Sequence, residues 1–172
     1  MSLSKFARRA AAGGVLIVLM LVASLLHGAG PATASGLTAA QAAALQAKAD
    51  NYLAEYGSAA KQVAPDRIVL PGAELVLAKP GQALAVPCPF HYFCAYSAQW
   101  FTGDVVMMEQ CGAFTAKPER WVDFGSWKNN QTSGTRSWIY FYGENPPWQM
   151  PGAYAEQASG VGWYPVEGFR PC

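Results

Sequence analysis

Hydrophobic and polar positions divide the chain into three stretches: an uncharged apolar run near the start, an alanine-rich stretch with a narrow apolar stripe, and a long aromatic region without helical period. In the second stretch, LTAAQAAALQAKADNYLAEYGSAAK over residues 37–61, Leu45, Ala49, Tyr52 and Tyr56 recur at four, three and four residues. That spacing places them on one helical face. Thr38 with Gln41 three residues later is a capping-box signature, and Gly57 stands where the helix would stop. The stripe is narrow, so the helix must dock on something. Two leucine-rich and β-branched runs follow, 67–70 and 74–78, around a Pro71-Gly72 turn signal, and predict a hairpin. An isolated hairpin is marginal in water, so these strands are expected to join a larger sheet or to pack under the helix.

From residue 86 the pattern changes. Alanine thins out, and six Trp, six Tyr and seven Phe lie between Pro87 and Cys172. Strands are read at 92–97, 104–109, 126–128, 137–142 and 162–166, joined by turn chemistry such as NNQTSGT and YGENPP. Short strands at this spacing suit a sandwich or a Greek key, and the small aromatic core invites disulfide support. The expectation is a mainly β protein whose β domain, 86–172, is preceded by one α-helix and a β-hairpin in residues 35–85.

The first stretch decides the compartment. Lys5, Arg8 and Arg9 precede VLIVLMLVASLL, and Ala32 and Ala34 form an A-x-A site, the anatomy of a signal peptide over 1–34. An uncleaved anchor is the rival, because residues 10–30 are uncharged, but the strongly apolar part is only 15–26. No cysteine stands by the cleavage site for a lipid anchor. A secreted, extracellular protein follows, with no membrane association once the leader is cut. The leader holds three of the twelve basic residues and none of the eleven acidic ones, leaving nine against eleven, a formal charge of −2. No basic field points to nucleic acid or an anionic membrane surface.

Export into an oxidising space favours pairing of the four cysteines, Cys88, Cys94, Cys111 and Cys172. Zinc would want cysteines two to four residues apart with further Cys or His partners, whereas Cys88 and Cys94 have five residues between them and His91 alone nearby. CPFHYFC is not the Cys-x-x-Cys of a redox pair, and a cysteine nucleophile would have only His91 as base. The structural staple is the remaining reading: Cys88 with Cys94 around a small loop, leaving Cys111 for Cys172, though four cysteines allow three pairings. Each such bond is worth roughly 2–4 kcal/mol on loop-closure arguments.

Tyr96, Phe101 and Gly103 in YSAQWFTG match the aromatic-x4-aromatic-x-Gly signature of βγ-crystallin Greek keys, in which the aromatics pack on a folded-over hairpin and the glycine takes a backbone angle other residues avoid. Together with CPFHYFCAY, the Cys111-Gly112 pair, SWKNNQT and a closing cysteine, the region 88–172 resembles the secreted actinobacterial family of the Streptomyces-type metalloproteinase inhibitor. The resemblance implies a βγ-crystallin-like Greek-key β-sandwich, disulfide-stapled across the same Cys-x5-Cys spacing, and a peptidase inhibitor that is not an enzyme. It implies a secreted protease as partner and a rigid loop as the device. The family's own reactive loop, a disulfide-closed segment towards its C-terminus, has no matching cysteine pair here. The candidate loops are therefore the tip His91, Tyr92 and Phe93, held by Cys88–Cys94, and GENPPWQM, where Pro146 and Pro147 stiffen Trp148. Against each stands a structural role, His91 as a solvated loop residue and Trp148 as a lid over the core.

Crystallin-like domains often bind calcium through an Asn/Asp-Asn/Asp-x-x-Ser/Thr-Ser motif. In VDFGSW, Asp123 and Ser126 stand, but Val122 and Trp127 occupy oxygen-ligand positions, so these are weak candidates and no cofactor is expected. The six tryptophans, Trp100, Trp121, Trp127, Trp138, Trp148 and Trp163, invite a carbohydrate-binding alternative, although most should be core in so small a domain. A crystallin-fold antimicrobial protein is a further alternative. Among Asp104, Glu109, Glu119, Asp123 and Glu144 nothing selects a glycosidase pair, and no serine sits in a nucleophile elbow. Asn130-Gln131-Thr132 reads as turn chemistry rather than a glycosylation site. Residues 35–85 are either a pro-segment removed on maturation or a permanent layer over the β domain; the sequence names no protease target and no oligomeric state.

Overall fold

The computed structural model describes residues 36–81, 85–143 and 146–172; the signal-peptide reading of 1–34 and the carboxylate of Glu144 lie outside them. No helix among the described residues is long and apolar enough to cross a membrane.

Helix α1 spans Ala39–Tyr56 and begins at the expected capping box: Gln41 N donates to Thr38 Oγ1 at 3.2 Å and Thr38 N to Gln41 Oε1 at 2.9 Å. Gly57, at φ 56°, closes it, and one turn of 3-10 helix follows over Gly57–Ala59. Leu45, Ala49 and Tyr52 of the stripe are buried, and Tyr56 packs at the margin of the core.

Strand β1 (Lys61–Ala64) pairs with β2 (Arg67–Leu70), and β2 with β3 (Ala73–Val76), all antiparallel. Pro71-Gly72 makes the expected two-residue turn between Leu70 and Ala73, with Gly72 at φ 70°. The hairpin does not stand alone, because β3 runs antiparallel to β5 (Val105–Met108), from Ala73 opposite Met108 to Val76 opposite Val105. The remaining strands are β4 (Phe93–Tyr96), β6 (Thr115–Ala116), β7 (Phe124–Asn129), β8 (Trp138–Phe141), β9 (Trp148–Gln149), β10 (Glu156–Gly162) and β11 (Val166–Arg170). They complete a seven-stranded sheet, β1-β2-β3-β5-β4-β7-β10, and a four-stranded one, β6-β11-β8-β9. The strands read at 92–97, 104–109, 126–128 and 137–142 are present as β4, β5, β7 and β8.

The strand read at 162–166 is corrected. Gly162 ends β10 and Val166 begins β11, and 163–165 between them are a reversal in which Val166 N donates to Trp163 O at 3.0 Å. Trp163 looked like a strand residue because it is apolar. Its ring instead anchors the turn into the core, fully buried, with Nε1 donating to Tyr96 O at 2.8 Å.

The main core lies between the sheets and under the helix, where Phe93, Ala95, Val106, Met108, Trp127, Ile139, Trp163 and Phe169 join Leu45, Ala49 and Tyr52. Ring centroids of Trp163 and Phe169 are 5.5 Å apart, those of Phe93 and Phe169 6.0 Å, within the range of favourable aromatic pairs. Strand alternation sends the other residues of β3, β4 and β5 to the opposite face. There Val76, Cys94, Tyr96, Val105 and Met107 form a second, smaller core, covered by Val86, Cys88, Tyr92 and Phe101. Strands β4 and β5 are thus buried on both faces, which explains their unbroken runs FCAY and VVMM.

A polar joint fastens α1 to the sheets. Asp104 accepts from Lys48 Nζ at 3.0 Å, Ala78 N at 2.7 Å and the Tyr52 hydroxyl at 2.7 Å, while Tyr52 accepts from Trp121 Nε1 at 3.0 Å. Arg120 lies 4.5 Å over the Tyr52 ring, bonds Glu55 at 3.1 Å and donates to Asn51 O at 3.0 Å. Burial, then the Asp104 charge, push the Tyr52 pKa well above the usual phenol range.

Candidate functional site

Both expected cysteine pairs are present: Cys88–Cys94, closing a separation of six residues, and Cys111–Cys172, closing sixty-one. The first frames the tip that leads into β4. Tyr92 N donates to Pro89 O at 3.3 Å and His91 has φ 79°, so residues 89–92 form a tight turn. Asn130, just past the end of β7, grips this turn: His91 N donates to Asn130 O and Asn130 N to Tyr92 O, each at 2.9 Å, while Asn130 Nδ2 donates to Cys88 O at 3.0 Å. A disulfide and three hydrogen bonds to one asparagine therefore hold seven residues.

The turn presents two rings. His91 is exposed, and Phe90, 51% exposed, sits with its centroid 4.0 Å from the imidazole. Tyr92 is half-buried, and the interaction of its hydroxyl with Glu109, then burial, raises its pKa. Phe93 is corrected as a loop-tip residue. It opens β4 and is fully buried against Trp127 and Phe169, so it is unable to enter a partner's cleft. Phe90, not singled out from the sequence, takes its place; its position after Pro89 inside the stapled loop was the available signal. Beside the tip, His91, Glu109, Gln131, Thr132 and both cysteines of the second disulfide line a shallow cavity of about 170 Å³.

The second candidate loop falls partly outside the described residues, which omit 144 and 145. Pro146 is exposed, Pro147 half-buried, and Trp148, 43% exposed, opens the two-residue β9 with its ring edge-on to Trp127 at 6.4 Å. Trp148 thus covers part of the core while showing one face to solvent.

The aromatic-glycine signature forms a folded hairpin. Tyr96 and Phe101 meet edge to face at 5.6 Å, and Gly103 has φ 79° with no room for a Cβ, which would fall on Ser97 Oγ. Trp100 and Phe101 are also left-handed, at 61° and 59°, held by Trp100 N to Ala158 O at 2.6 Å and Phe101 N to Ser126 Oγ at 2.9 Å. Ser126 in turn donates to Ala98 O at 2.7 Å. Its hydroxyl is fully buried and committed to this hairpin, whereas Asp123 is exposed and its carbonyl accepts from Trp163 N. The two weak calcium candidates are therefore not brought to one cage, and no group of three His, Cys, Asp or Glu side chains suited to a metal occurs among the described residues.

Of the tryptophans, Trp121, Trp127 and Trp163 are core, Trp138 is half-buried, and Trp100 and Trp148 are exposed. Asp104, one of the surveyed carboxylates, is buried in the helix joint.

Residues 81–146 match the model of a protein family described as peptidase inhibitor family I36. No curated protein matches the chain, and no solved structure does. The matched stretch contains the stapled tip, the folded hairpin and strands β4 to β8. It supports the resemblance drawn from the cysteine and aromatic spacing, and with it a peptidase inhibitor, a class that is not enzymatic.

Proposed function

We infer that this protein, a peptidase inhibitor by the family match over residues 81–146, acts outside the cell on a secreted protease and blocks it sterically through the stapled tip at Phe90 and His91. The observation that carries this reading is the tip's rigidity: a tight turn, a disulfide and the Asn130 grip fix two exposed rings before any partner arrives. Order present in the free protein is entropy not lost on binding.

The left-handed His91 has a consequence for mechanism. A substrate-like inhibitor offers several extended residues to an active-site cleft, and a turn offers side chains instead. Phe90 then works as a plug seated in an apolar pocket, with no bond presented for cleavage.

The strand order supports a Greek-key reading of the β domain. In β4–β7 the fourth strand returns beside the first, and in β8–β11 it does so again, while the third strand of each set joins the other sheet. We take residues 86–172 as the crystallin-like inhibitor domain on this ground, with 36–81 as a layer fastened to it. Secretion is supported by the two disulfides and by the leader read over 1–34.

The test is a stoichiometric titration of the oxidised protein against secreted metallo- and serine proteases, repeated with Phe90→Ala, His91→Ala and the Cys88→Ser/Cys94→Ser pair. Inhibition by the parent and its loss in the folded tip variants supports the plug. Unchanged inhibition in those variants removes the tip and sends the search to Pro146, Pro147 and Trp148. A folded parent silent on every protease overturns the reading itself.

A further inference from the structure

Lys117 is the one lysine whose residue is almost fully buried among the described residues, at 4% exposure. Its ammonium donates to the carbonyls of Pro118 and Trp121, each at 2.9 Å, and among the described residues no carboxylate lies within ion-pair distance. An ammonium carries three protons, so one has no acceptor among the described residues. A buried cation without a counter-charge is costly, and burial accordingly pushes its pKa down, with Glu55 and Glu119 opposing from a distance.

Lys117 forms part of the wall of a cavity of about 500 Å³, together with Glu119, Val122, Tyr142, Tyr164 and Pro165. Tyr142 and Tyr164 are 58% and 77% exposed and Val122 53%, an unusual concentration of apolar surface in water. Three separate loops build the site: the β6–β7 connection, the turn after β8, and the β10–β11 reversal. Tyr142 N to Pro165 O at 3.0 Å ties the last two together. The cavity shares no lining residue with that beside His91 and lies beyond the opposite end of β7: Phe93 pairs with Asn129, whereas Val122 precedes Phe124. Phe124 and Asn129 stand five steps apart along the strand, about 17 Å.

We propose that this cavity binds the C-terminal residue of a peptide ending in an apolar or aromatic side chain. Each part of such a residue has a counterpart. The terminal carboxylate supplies the missing charge and acceptor for Lys117. The amide N–H of the same residue finds an acceptor in Glu119 at the rim. The side chain lies against the Tyr142 and Tyr164 rings and the Val122–Pro165 walls. The volume suits one residue with part of a second. A protein that works among proteases meets freshly cut C-termini continually, but the site stands on its own chemistry and not on the inhibitor reading.

The experiment is an isothermal or NMR titration of the full oxidised protein with N-acetyl-Ala-Ala-Phe as the free acid and as the C-terminal amide. Saturable binding of the acid, at least about tenfold tighter than the amide, is the expected result. Lys117→Met should erase the preference for the acid, and Tyr164→Ala, a surface change that leaves the core untouched, should weaken the acid by about fivefold or more. Chemical-shift changes should centre on Tyr142, Tyr164 and Val122. Equal affinity for acid and amide overturns the proposal, as does the absence of saturation at millimolar peptide. If Lys117→Met fails to fold, the acid-to-amide ratio and Tyr164→Ala decide the matter without it.

Discussion

Strands β4–β7 and β8–β11 trace the same path, first strand beside fourth and third strand lent to the other sheet, yet different interactions hold them. In the first set the hold is local: Tyr96 on Phe101, Gly103 in its tight bend, and the Ser126 hydroxyl bonded to both sides of the folded hairpin. The second set does not repeat that aromatic and glycine spacing, its corresponding stretch reading YGENPPWQMPG. Its second strand, β9, is two residues long, and order comes from afar, through Trp163 and Phe169 in the shared core and through Cys111–Cys172. A path that local chemistry fixes can be recognised in a short stretch of sequence, and the family match indeed ends at residue 146, just short of β9. A path fixed from afar leaves turns free to vary, and the exposed Tyr142 and Tyr164 lie on those turns.

The sharpest way to break the comparison is at the joint of the two halves. A Cβ at Gly125 would occupy the space of Trp163 Nε1 and Tyr96 O, so Gly125→Val should cost more than about 4 kcal/mol and leave no cooperative thermal transition by circular dichroism. Next, the disulfides should rank by loop length. Replacing Cys111 and Cys172 by serine should cost about 4 kcal/mol, and replacing Cys88 and Cys94 about 2, in denaturant unfolding. The reverse order would mean that the second half does not depend on its long-range bond.

Tyr52→Phe removes a donor from Asp104 and the acceptor of Trp121 Nε1, and should cost about 1–3 kcal/mol without changing the β-sheet signal. Ser126→Ala should cost about 1–2 kcal/mol and act on the first half alone, visible as faster amide exchange at Phe101 and little change in β11.

The last effect is alkaline. Burial raises the pKa of Tyr96 to about 12 and that of Tyr52 higher still, above the ordinary value of 10. In that window the unfolded chain loses protons that the folded one keeps, so stability is complete below pH 10 and falls as pH rises towards 12. Lys117 has the opposite sign, its folded pKa being depressed, and offsets part of the loss as pH climbs towards the ordinary lysine value. A Lys117→Met variant should therefore show a steeper alkaline decline.

These contrasts also account for what could be read from the residues alone. Helix α1 carried its own cap and stripe, the first hairpin its Pro-Gly turn, and the folded hairpin its aromatic spacing; each is settled within about ten residues. Strand β10, EQASGVG, has no apolar alternation, because a bulge between Gln157 and Val161 breaks its register and β7 alone flanks it. Trp163 misled for a related reason: its apolar ring belongs to a turn, and only the partner Tyr96, sixty-seven residues away, explains why. Phe93 was misjudged by its neighbours in the loop, when strand alternation from Ala95 would have sent it inward. The Lys117 cavity draws on three loops that meet only after the sheets close, and no stretch of sequence contains it.

The pairing of β3 with β5 has a further consequence in a medium full of proteases. Leu75 is buried opposite Val106, and α1 is bolted to Asp104 and to the 116–121 segment, so the first part of the fold is an edge of the same sheet that carries the tip. A cut between residues 81 and 85 would separate two polypeptides that remain one particle, joined by a ladder of main-chain bonds and by the helix clasp. Such a nicked protein would migrate as two bands in denaturant and as a single species without it, and two fragments made separately should find each other and restore the whole.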